Sequence, residues 1–477
     1  MQGSVEKNPL ILIYRSLNKS ESRRLGKWLD SPAHNQRDDV KALHAYLTGG
    51  EDRLEKASAL GKERIYRRLF PGTTYDDARL RQTFHWALKA TEGFLAYEQW
   101  SSKEIDAQLS LIAALRQRNL SSPLQRSLKK AERMQETTQI RNEDFYRSQY
   151  RLELELDEYR VYHKLNEDPN FQQIANNLDV AYLIEKLKVG CNMLYQTRVF
   201  RTQFDLRFLD EVVSYVEQYD LDQYPALAIY YYVYRGLTGQ AEEEGSISRL
   251  RSLILEHGGL LKSNGRRYVF LMAINICISH MNRGREPYTR EAFEFYRLGF
   301  AEGIISEDGK LTRETYLNVV SIALKLKEFD WAEHFIREQA SALEADIREN
   351  TQRFAQARLG YEQKDFDTTM RLLVQVDFRH PVYNLLAKTM LLKIYYELDE
   401  FDALDSLLDS MTTYIRRKKL SDLHRDHFGN AVRLVRQLSR INTRDEKKIM
   451  ALRTRIETTS PLAEKKWMLE QLALQTA

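Results

Sequence analysis

Apolar residues with helical spacing alternate with a short acidic-aromatic turn in the last third of this chain. The turn occurs three times, at residues 327–332, 364–369 and 399–404, and its aromatic residues are Phe329, Phe366 and Phe401. These aromatic residues are 37 and 35 positions apart. Each turn lies between two amphipathic runs, so the pattern predicts a repeated helix–turn–helix unit with the period of stacked helical hairpins.

The rest of the chain also has helical periodicity. Leu80, Phe84 and Leu88, for example, recur on one helix face after the turn at Pro71-Gly72. Runs with the period of two that indicates β-strands are short, and the Val/Ile-rich runs have helical spacing. We therefore predict an all-α fold, a helical hairpin array preceded by an N-terminal helical module. The expected segments are 1–100 for that module, 101–223 for a helical linker or array region, 224–430 for the repeats, and 431–477 for C-terminal capping helices.

Small or apolar residues occupy fixed positions after each turn. The positions three and seven residues beyond the aromatic residue hold Ala332 and Ile336, Thr369 and Leu373, and Leu404 and Leu408. Side chains of this kind allow the two helices of a hairpin to approach closely. The turns therefore predict where each hairpin bends and which side chains pack inside it.

With these turns and packing positions, residues 312–417 resemble the tetratricopeptide repeat (TPR), a helix–turn–helix unit of about 34 residues. The resemblance is weaker upstream, to about residue 224. The position usually held by Trp in the first helix is Tyr316, Arg353 or Lys388 here. The whole chain is also similar to a group of uncharacterised bacterial proteins that join an N-terminal helical module to degenerate repeats. That similarity implies no activity.

The TPR resemblance implies a groove that is lined by the first helix of each repeat and binds an extended peptide or a partner helix. Its positions, eight and five residues before each turn aromatic, hold Ser321 and Leu324, Arg358 and Tyr361, and Lys393 and Tyr396. A cation and a tyrosine recur in two successive repeats. We therefore predict a partner-binding groove for a carboxylate-bearing or phosphorylated peptide, formed by Arg358, Tyr361, Lys393 and Tyr396. The alternative is that the cations are ordinary surface residues and the tyrosines pack between repeats.

The composition changes this picture only slightly. The chain has 477 residues, 43% of them hydrophobic, and its formal net charge of +4 is too close to balance to indicate nucleic-acid or membrane binding. The two cysteines, Cys191 and Cys277, lie inside apolar helical runs and are expected to be buried thiols. No run reaches the roughly 18 apolar residues of a membrane span, so a soluble cytoplasmic protein is expected.

The usual sequence motifs for catalysis and metal binding are absent from the chain. The chain contains no Gly-rich phosphate loop, no G-x-S-x-G elbow, no H-E-x-x-H zinc helix and no Cys/His cluster with metal spacing. We accordingly expect no catalytic residue, no cofactor and no metal. The basic run at residues 416–419 is interpreted as the cationic end of a helix, with contact to phosphate or an acidic partner as the alternative.

These observations favour a non-enzymatic protein–protein interaction scaffold. The alternative is a nucleic-acid-binding regulator that uses residues 56–97, which vaguely resemble the helical half of winged-helix regulators followed by TPRs. The recognition helix would carry Arg79, Arg81, Gln82, His85 and Lys89. No β-hairpin wing is expected after Leu95, and the helix begins with Asp76 and Asp77, which would repel phosphates. A hydrolase or transferase of unrecognised type is a third possibility.

Overall fold

The computed structural model describes residues 4–50, 52–163, 169–200, 202–239, 245–306, 309–442 and 445–475. In these ranges the regular structure is α-helical with short 3-10 turns and no β-strand, and single backbone bridges join Ser4 to Gly61 and Leu311 to Leu343. The predicted all-α class is confirmed. The chain divides into two compact units, residues 1–182 and 183–477.

The first unit contains eight of the described helices and the start of a ninth. They are α1 (Pro9–Ser16), α2 (Lys19–Asp30), α3 (Asp38–Thr48), α4 (Lys62–Leu69), α5 (Asp77–Ser101), α6 (Glu104–Gln117), α7 (Ser121–Thr137) and α8 (Glu143–Tyr162). Helix α9 (Phe171–Phe200) runs across the division between the units.

The second unit continues with helices that are mostly paired along the chain. They are α10 (Leu209–Val216), α11 (Pro225–Thr238), α12 (Ser246–His257), α13 (Ser263–Met281), α14 (Pro287–Ala301), α15 (Arg313–Lys325), α16 (Phe329–Glu338), α17 (Ala345–Glu362), α18 (Phe366–Val374), α19 (Pro381–Glu397), α20 (Phe401–Arg417), α21 (Asp422–Leu438), α22 (Glu446–Thr458) and α23 (Lys465–Leu474).

Among the described residues of the first unit, two apolar cores are formed by different sets of helices. Leu10, Leu25 and Tyr66 are buried in the core that α1–α5 enclose. Ile112 and Leu152 are buried in the core of α6–α8. Each core is lined by residues at helical spacing, which is why the periodicity of the sequence identifies these helices.

Side-chain caps fix several helix starts in the first unit. Asn18 accepts hydrogen bonds from the backbone of α2, and Glu21 accepts one from the N–H of Asn18 at 2.9 Å, which completes a capping box. The Asp76 side chain caps α5 without a capping box, by accepting hydrogen bonds from the N–H groups of Ala78 and Arg79. The acid expected to repel phosphate at the start of α5 therefore also has a structural role.

The three repeated turns share one backbone geometry. The second helices begin at the turn aromatics Phe329, Phe366 and Phe401. The residues two positions earlier have left-handed backbone, namely Lys327 (φ 60°), Lys364 (φ 64°) and Asp399 (φ 59°). The N–H of the next residue donates to the carbonyl five residues before it, as Glu328 does to Ala323 at 3.0 Å. This Schellman geometry ends each first helix in the same way.

The predicted packing positions in the hairpins are buried. The residues three positions after the turn aromatics have no exposed surface, namely Ala332, Thr369 and Leu404. Helix α15 packs on α16, α17 on α18, and α19 on α20, while α17 also packs against α15 and α16. The prediction of where these hairpins bend and close is confirmed.

The expected segment boundaries remain predictions, since helix ends alone do not define domains. Helix α5 ends at Ser101 and α11 begins at Pro225, near the boundaries expected after residues 100 and 223, whereas residue 430 lies inside α21. The two compact units divide within α9.

Candidate partner-binding face

The four residues predicted to line a groove lie in the last turns of two successive first helices. Arg358 and Tyr361 are on α17, and Lys393 and Tyr396 occupy the equivalent positions on α19. The structure brings neighbouring members together, because the Lys393 Nζ lies 4.6 Å from the centroid of the Tyr361 ring. That distance allows a cation–π interaction between consecutive hairpins.

Arg358 connects this pair to the preceding hairpin. Its Nη1 donates a hydrogen bond to the Oγ of Ser321, which holds the equivalent position on α15. Burial lowers the pKa of the Arg358 guanidinium, whereas the carboxylates of Glu464 and Glu362 favour its charged form. The fixed offset of the repeat therefore aligns side chains of three first helices on one face.

Glu397, which the sequence analysis did not identify, is the acceptor at the centre of this face. Its carboxylate accepts from the Tyr361 hydroxyl, from the Lys364 Nζ at 2.8 Å and from the Trp467 Nε1 at 2.9 Å. Burial alone raises the pKa of Glu397, but the hydrogen bonds from Lys364, Tyr361 and Trp467 lower it by more. The group is therefore held as a carboxylate.

We use the name groove face for the six residues Ser321, Arg358, Tyr361, Lys393, Tyr396 and Glu397. The groove face holds helix α23. Glu464, the residue just before α23, pairs with the Lys393 Nζ at 2.9 Å. The Trp467 ring meets the Tyr396 ring edge-on, at 5.3 Å between centroids. Gln475, just after α23, donates to the Tyr396 hydroxyl at 2.6 Å.

The inner side of α23 belongs to an apolar core formed with α19–α22. Trp467 is 6% exposed, and Met468 and Leu472 are completely buried. The segment that leads into α23 is held by α21, because the Asn430 side chain donates to the Pro461 carbonyl at 2.9 Å and the Ala463 N–H donates to the His427 carbonyl at 3.2 Å. Helix α23 is thus anchored by apolar contacts on α21 and α22 and by polar contacts on the groove face.

The electrostatics of the groove face suit recognition of a carboxylate beside an aromatic ring. Lys393 has 16% of its side chain exposed, so its ion pair with Glu464 is partly desolvated. Burial raises the pKa of Tyr361 and raises that of Tyr396 to about 12. Both hydroxyls are therefore neutral at physiological pH and able to donate hydrogen bonds.

The sequence carried partial signals for the residues that were missed. Glu397 follows a predicted groove residue directly, and Trp467 is a lone tryptophan in a charged terminal segment. Neither signal shows that the two side chains meet, since they are 70 residues apart and belong to no common repeat.

The residues of the alternative nucleic-acid interface lie along α5. Arg81, Gln82, His85 and Lys89 are exposed, and Trp86 is 38% exposed. Asp77 neutralises part of this surface, because it pairs with Lys62 at 2.9 Å and Arg81 at 3.0 Å. The Arg79 guanidinium lies 3.8 Å from the centroid of the Phe70 ring. Arg79, Arg81 and Lys89 are thus exposed cations that contact residues close to them in the sequence.

The structure also describes the two cysteines and the basic run that the sequence analysis considered. Cys191 and Cys277 are free and buried, as predicted, and burial raises the pKa of both thiols. Residues 416–419 are exposed at the end of α20. Among the described residues, no three His, Cys, Asp or Glu side chains are grouped to hold a metal ion.

None of the helices in the described ranges combines the length and the hydrophobicity needed to cross a membrane. Comparisons with protein-family models, with curated proteins and with solved structures found no match to this chain.

Proposed function

We propose that this protein is a non-enzymatic interaction scaffold of cytoplasmic location, in which TPR-like hairpins bind a peptide or partner helix on the groove face. One observation supports the proposal more than any other. Equivalent side chains of α15, α17 and α19 are joined across hairpins, and the face they form already holds a helix through an ion pair, ring contacts and hydrogen bonds. A surface that seats one helix with these groups has the chemistry to seat another.

The predicted partner carries a carboxylate and an aromatic side chain. Lys393 and Arg358 supply cations in a partly desolvated setting, where a charge-assisted hydrogen bond is stronger than in open water. Tyr361 and Tyr396 supply rings that accept apolar or edge contacts. A phosphorylated peptide fits the cations, and a helix with an acidic residue fits both sets.

The test compares two double variants in partner capture by the full chain. Arg358→Ala/Lys393→Ala removes both groove cations, whereas Arg353→Ala/Lys388→Ala removes one cation from each of the same helices at positions five residues earlier. Arg353 pairs with Glu349 within α17, and Lys388 lies near Ser410, so neither belongs to the groove face. We expect capture to be lost in the first variant and retained in the second.

Circular dichroism and thermal melting must show that both variants keep their helices. If the first double variant is folded and captures the same proteins in the same amounts as the wild-type chain, the groove face is not the binding surface and this proposal is wrong.

The second candidate function is nucleic-acid binding through α5. It is favoured by Trp86, which is partly exposed on α5 with the Lys89 Nζ at 5.3 Å and the Arg37 guanidinium at 6.0 Å from its ring centroid. Aromatic rings beside cations are platforms for stacking single-stranded bases. A gel shift of the full chain at low salt, lost in Trp86→Ala and weakened steeply by added salt, is the expected result. Absence of a shift at micromolar protein would exclude it.

A further inference from the structure

We propose that α23 is a built-in occupant of the groove face, and that a partner helix with an acidic residue and a Trp three positions later displaces it. This inference rests on the proposed function, because it names the chemistry of the partner and the way in which its binding is regulated. The occupant it commits to is an amphipathic helix of another protein that reproduces the contacts of Glu464 and Trp467.

The contacts of α23 define what such a partner must offer. Glu464 gives its carboxylate to Lys393, and Trp467 gives its indole N–H to Glu397 and its ring to Tyr396. Glu464 directly precedes α23 and Trp467 lies in its first turn, so one short segment delivers both groups to the groove face. This segment thus supplies a carboxylate to Lys393 and an indole N–H to Glu397.

The outer side of α23 makes none of these contacts. Lys466 and Glu470 are 86% and 57% exposed in their side chains and pair only loosely with each other at 3.8 Å. Their identity therefore does not affect recognition, which depends on the residues facing the groove. The two exposed residues also provide matched control positions on the same helix.

The size of α23 makes its exchange feasible. The helix has 10 residues, and a helix of that length is marginal on its own, so its order depends on the contacts it makes. A competing helix that supplies the same ion pair, indole and buried apolar residues replaces those contacts one for one. The free energy of exchange is then a difference between two similar sets of contacts. Because α23 competes from within the same chain, a partner must overcome its effective concentration, which is on the order of millimolar for a short linker.

The experiment uses a fluorescent peptide of residues 459–475 as the probe and full-length chains as hosts. A host with Glu464→Lys and Trp467→Ala loses the polar anchors and one buried aromatic ring of its own α23 but keeps the groove face. We expect this host to bind the native peptide at least about tenfold more tightly than the wild-type chain does, since α23 competes in the latter. A host with Lys466→Ala and Glu470→Ala should behave like the wild-type chain.

We call the host with Glu464→Lys and Trp467→Ala the open host. A peptide with the same two changes should bind the open host at least about tenfold more weakly than the native peptide does. That factor corresponds to about 1.4 kcal/mol of binding free energy. A folded host that fails to prefer the native peptide overturns the inference, because α23 would then be a fixed part of the core. If wild-type chains instead form dimers that Trp467→Ala dissociates, the occupant in trans is a second copy, and the partner-helix assignment is wrong.

Hydrogen exchange of the wild-type chain keeps the inference testable if the open host does not fold. Amides of α23 should exchange faster than those of α21, because α23 opens while the neighbouring helix stays formed. Equal protection in α21 and α23 would contradict the inference. A scaffold that captures partners through Arg358 and Lys393 while α23 never opens would contradict this inference and leave the proposed function intact.

Discussion

The groove face in the second unit and the exposed side of α5 in the first unit use the same residue types in different ways. On the groove face, Lys393 contacts a ring of the preceding hairpin and a carboxylate 71 residues further along the chain. On α5, Arg81 pairs four residues back with Asp77, and Lys89 lies over its near neighbour Trp86. Long-range contacts fix the geometry of a cation, whereas local contacts leave it adaptable. The side chains of the groove face are therefore more firmly positioned than those on the exposed side of α5.

The largest expected difference in stability between the two regions comes from replacing one alanine in each of them by arginine. Ala332 has no exposed surface between helices of the second unit, whereas Ala78 is exposed on α5. Ala332→Arg should destabilise the protein by more than about 3 kcal/mol, because it combines overpacking with burial of an unpaired charge. Ala78→Arg should change the free energy of unfolding by less than about 0.5 kcal/mol. Thermal denaturation followed by circular dichroism measures both, and equal melting temperatures would show that Ala332 is not at a helix crossing.

The next largest difference in stability is expected when Lys393 on the groove face and Lys89 on α5 are each replaced by alanine. Lys393→Ala removes a partly desolvated ion pair with Glu464 and should cost about 1.5–3 kcal/mol. Lys89→Ala removes an exposed contact with Trp86 and should cost about 0.5 kcal/mol or less. Urea unfolding at moderate salt gives both values. Similar losses in the two variants would mean that the groove face is no better organised than α5.

The carboxylate at the centre of the groove face should make stability depend on pH. Hydrogen bonds hold the pKa of Glu397 below its ordinary value of 4.5, so the unfolded chain binds the proton more readily than the folded one. The stabilisation is complete above the unfolded pKa and is lost as pH falls through the lower, folded pKa. In melts from pH 7 to pH 3, Glu397→Gln should lose less stability on acidification than the wild-type chain. Parallel pH profiles would mean that Glu397 is not preferentially ionised in the folded state.

The sequence predicted helices along the whole chain, but it predicted which helices meet only where the structure repeats. The turn aromatics located three helix starts, and the constant offset placed Arg358 beside Ser321 and Lys393 beside Tyr361, because equivalent positions of stacked hairpins are neighbours. The position of α23 could not be predicted in this way. Trp467 of α23 contacts Glu397 and Tyr396, which do not occupy equivalent positions in the repeats. These residues therefore come together only in the folded protein.

The smallest expected change in stability concerns a type of helix end that occurs in both units. Lys327 and Asn119 both have left-handed backbone, with φ of 60° and 54°, and in both cases the next N–H donates to the carbonyl five residues earlier. A side chain in this conformation costs about 1 kcal/mol relative to Gly, but Asn tolerates it better than Lys.

Lys327→Gly should therefore raise the free energy of unfolding by about 0.5–1 kcal/mol, and Asn119→Gly by less. Lys325→Gly is the matched control, because Lys325 lies inside the last turn of α15 and Gly there should destabilise by up to about 1 kcal/mol. Chemical denaturation of the three variants measures these differences. A loss of stability in Lys327→Gly would show that the exposed lysine contributes more than its backbone conformation costs, and that the turns of the two units are not energetically equivalent.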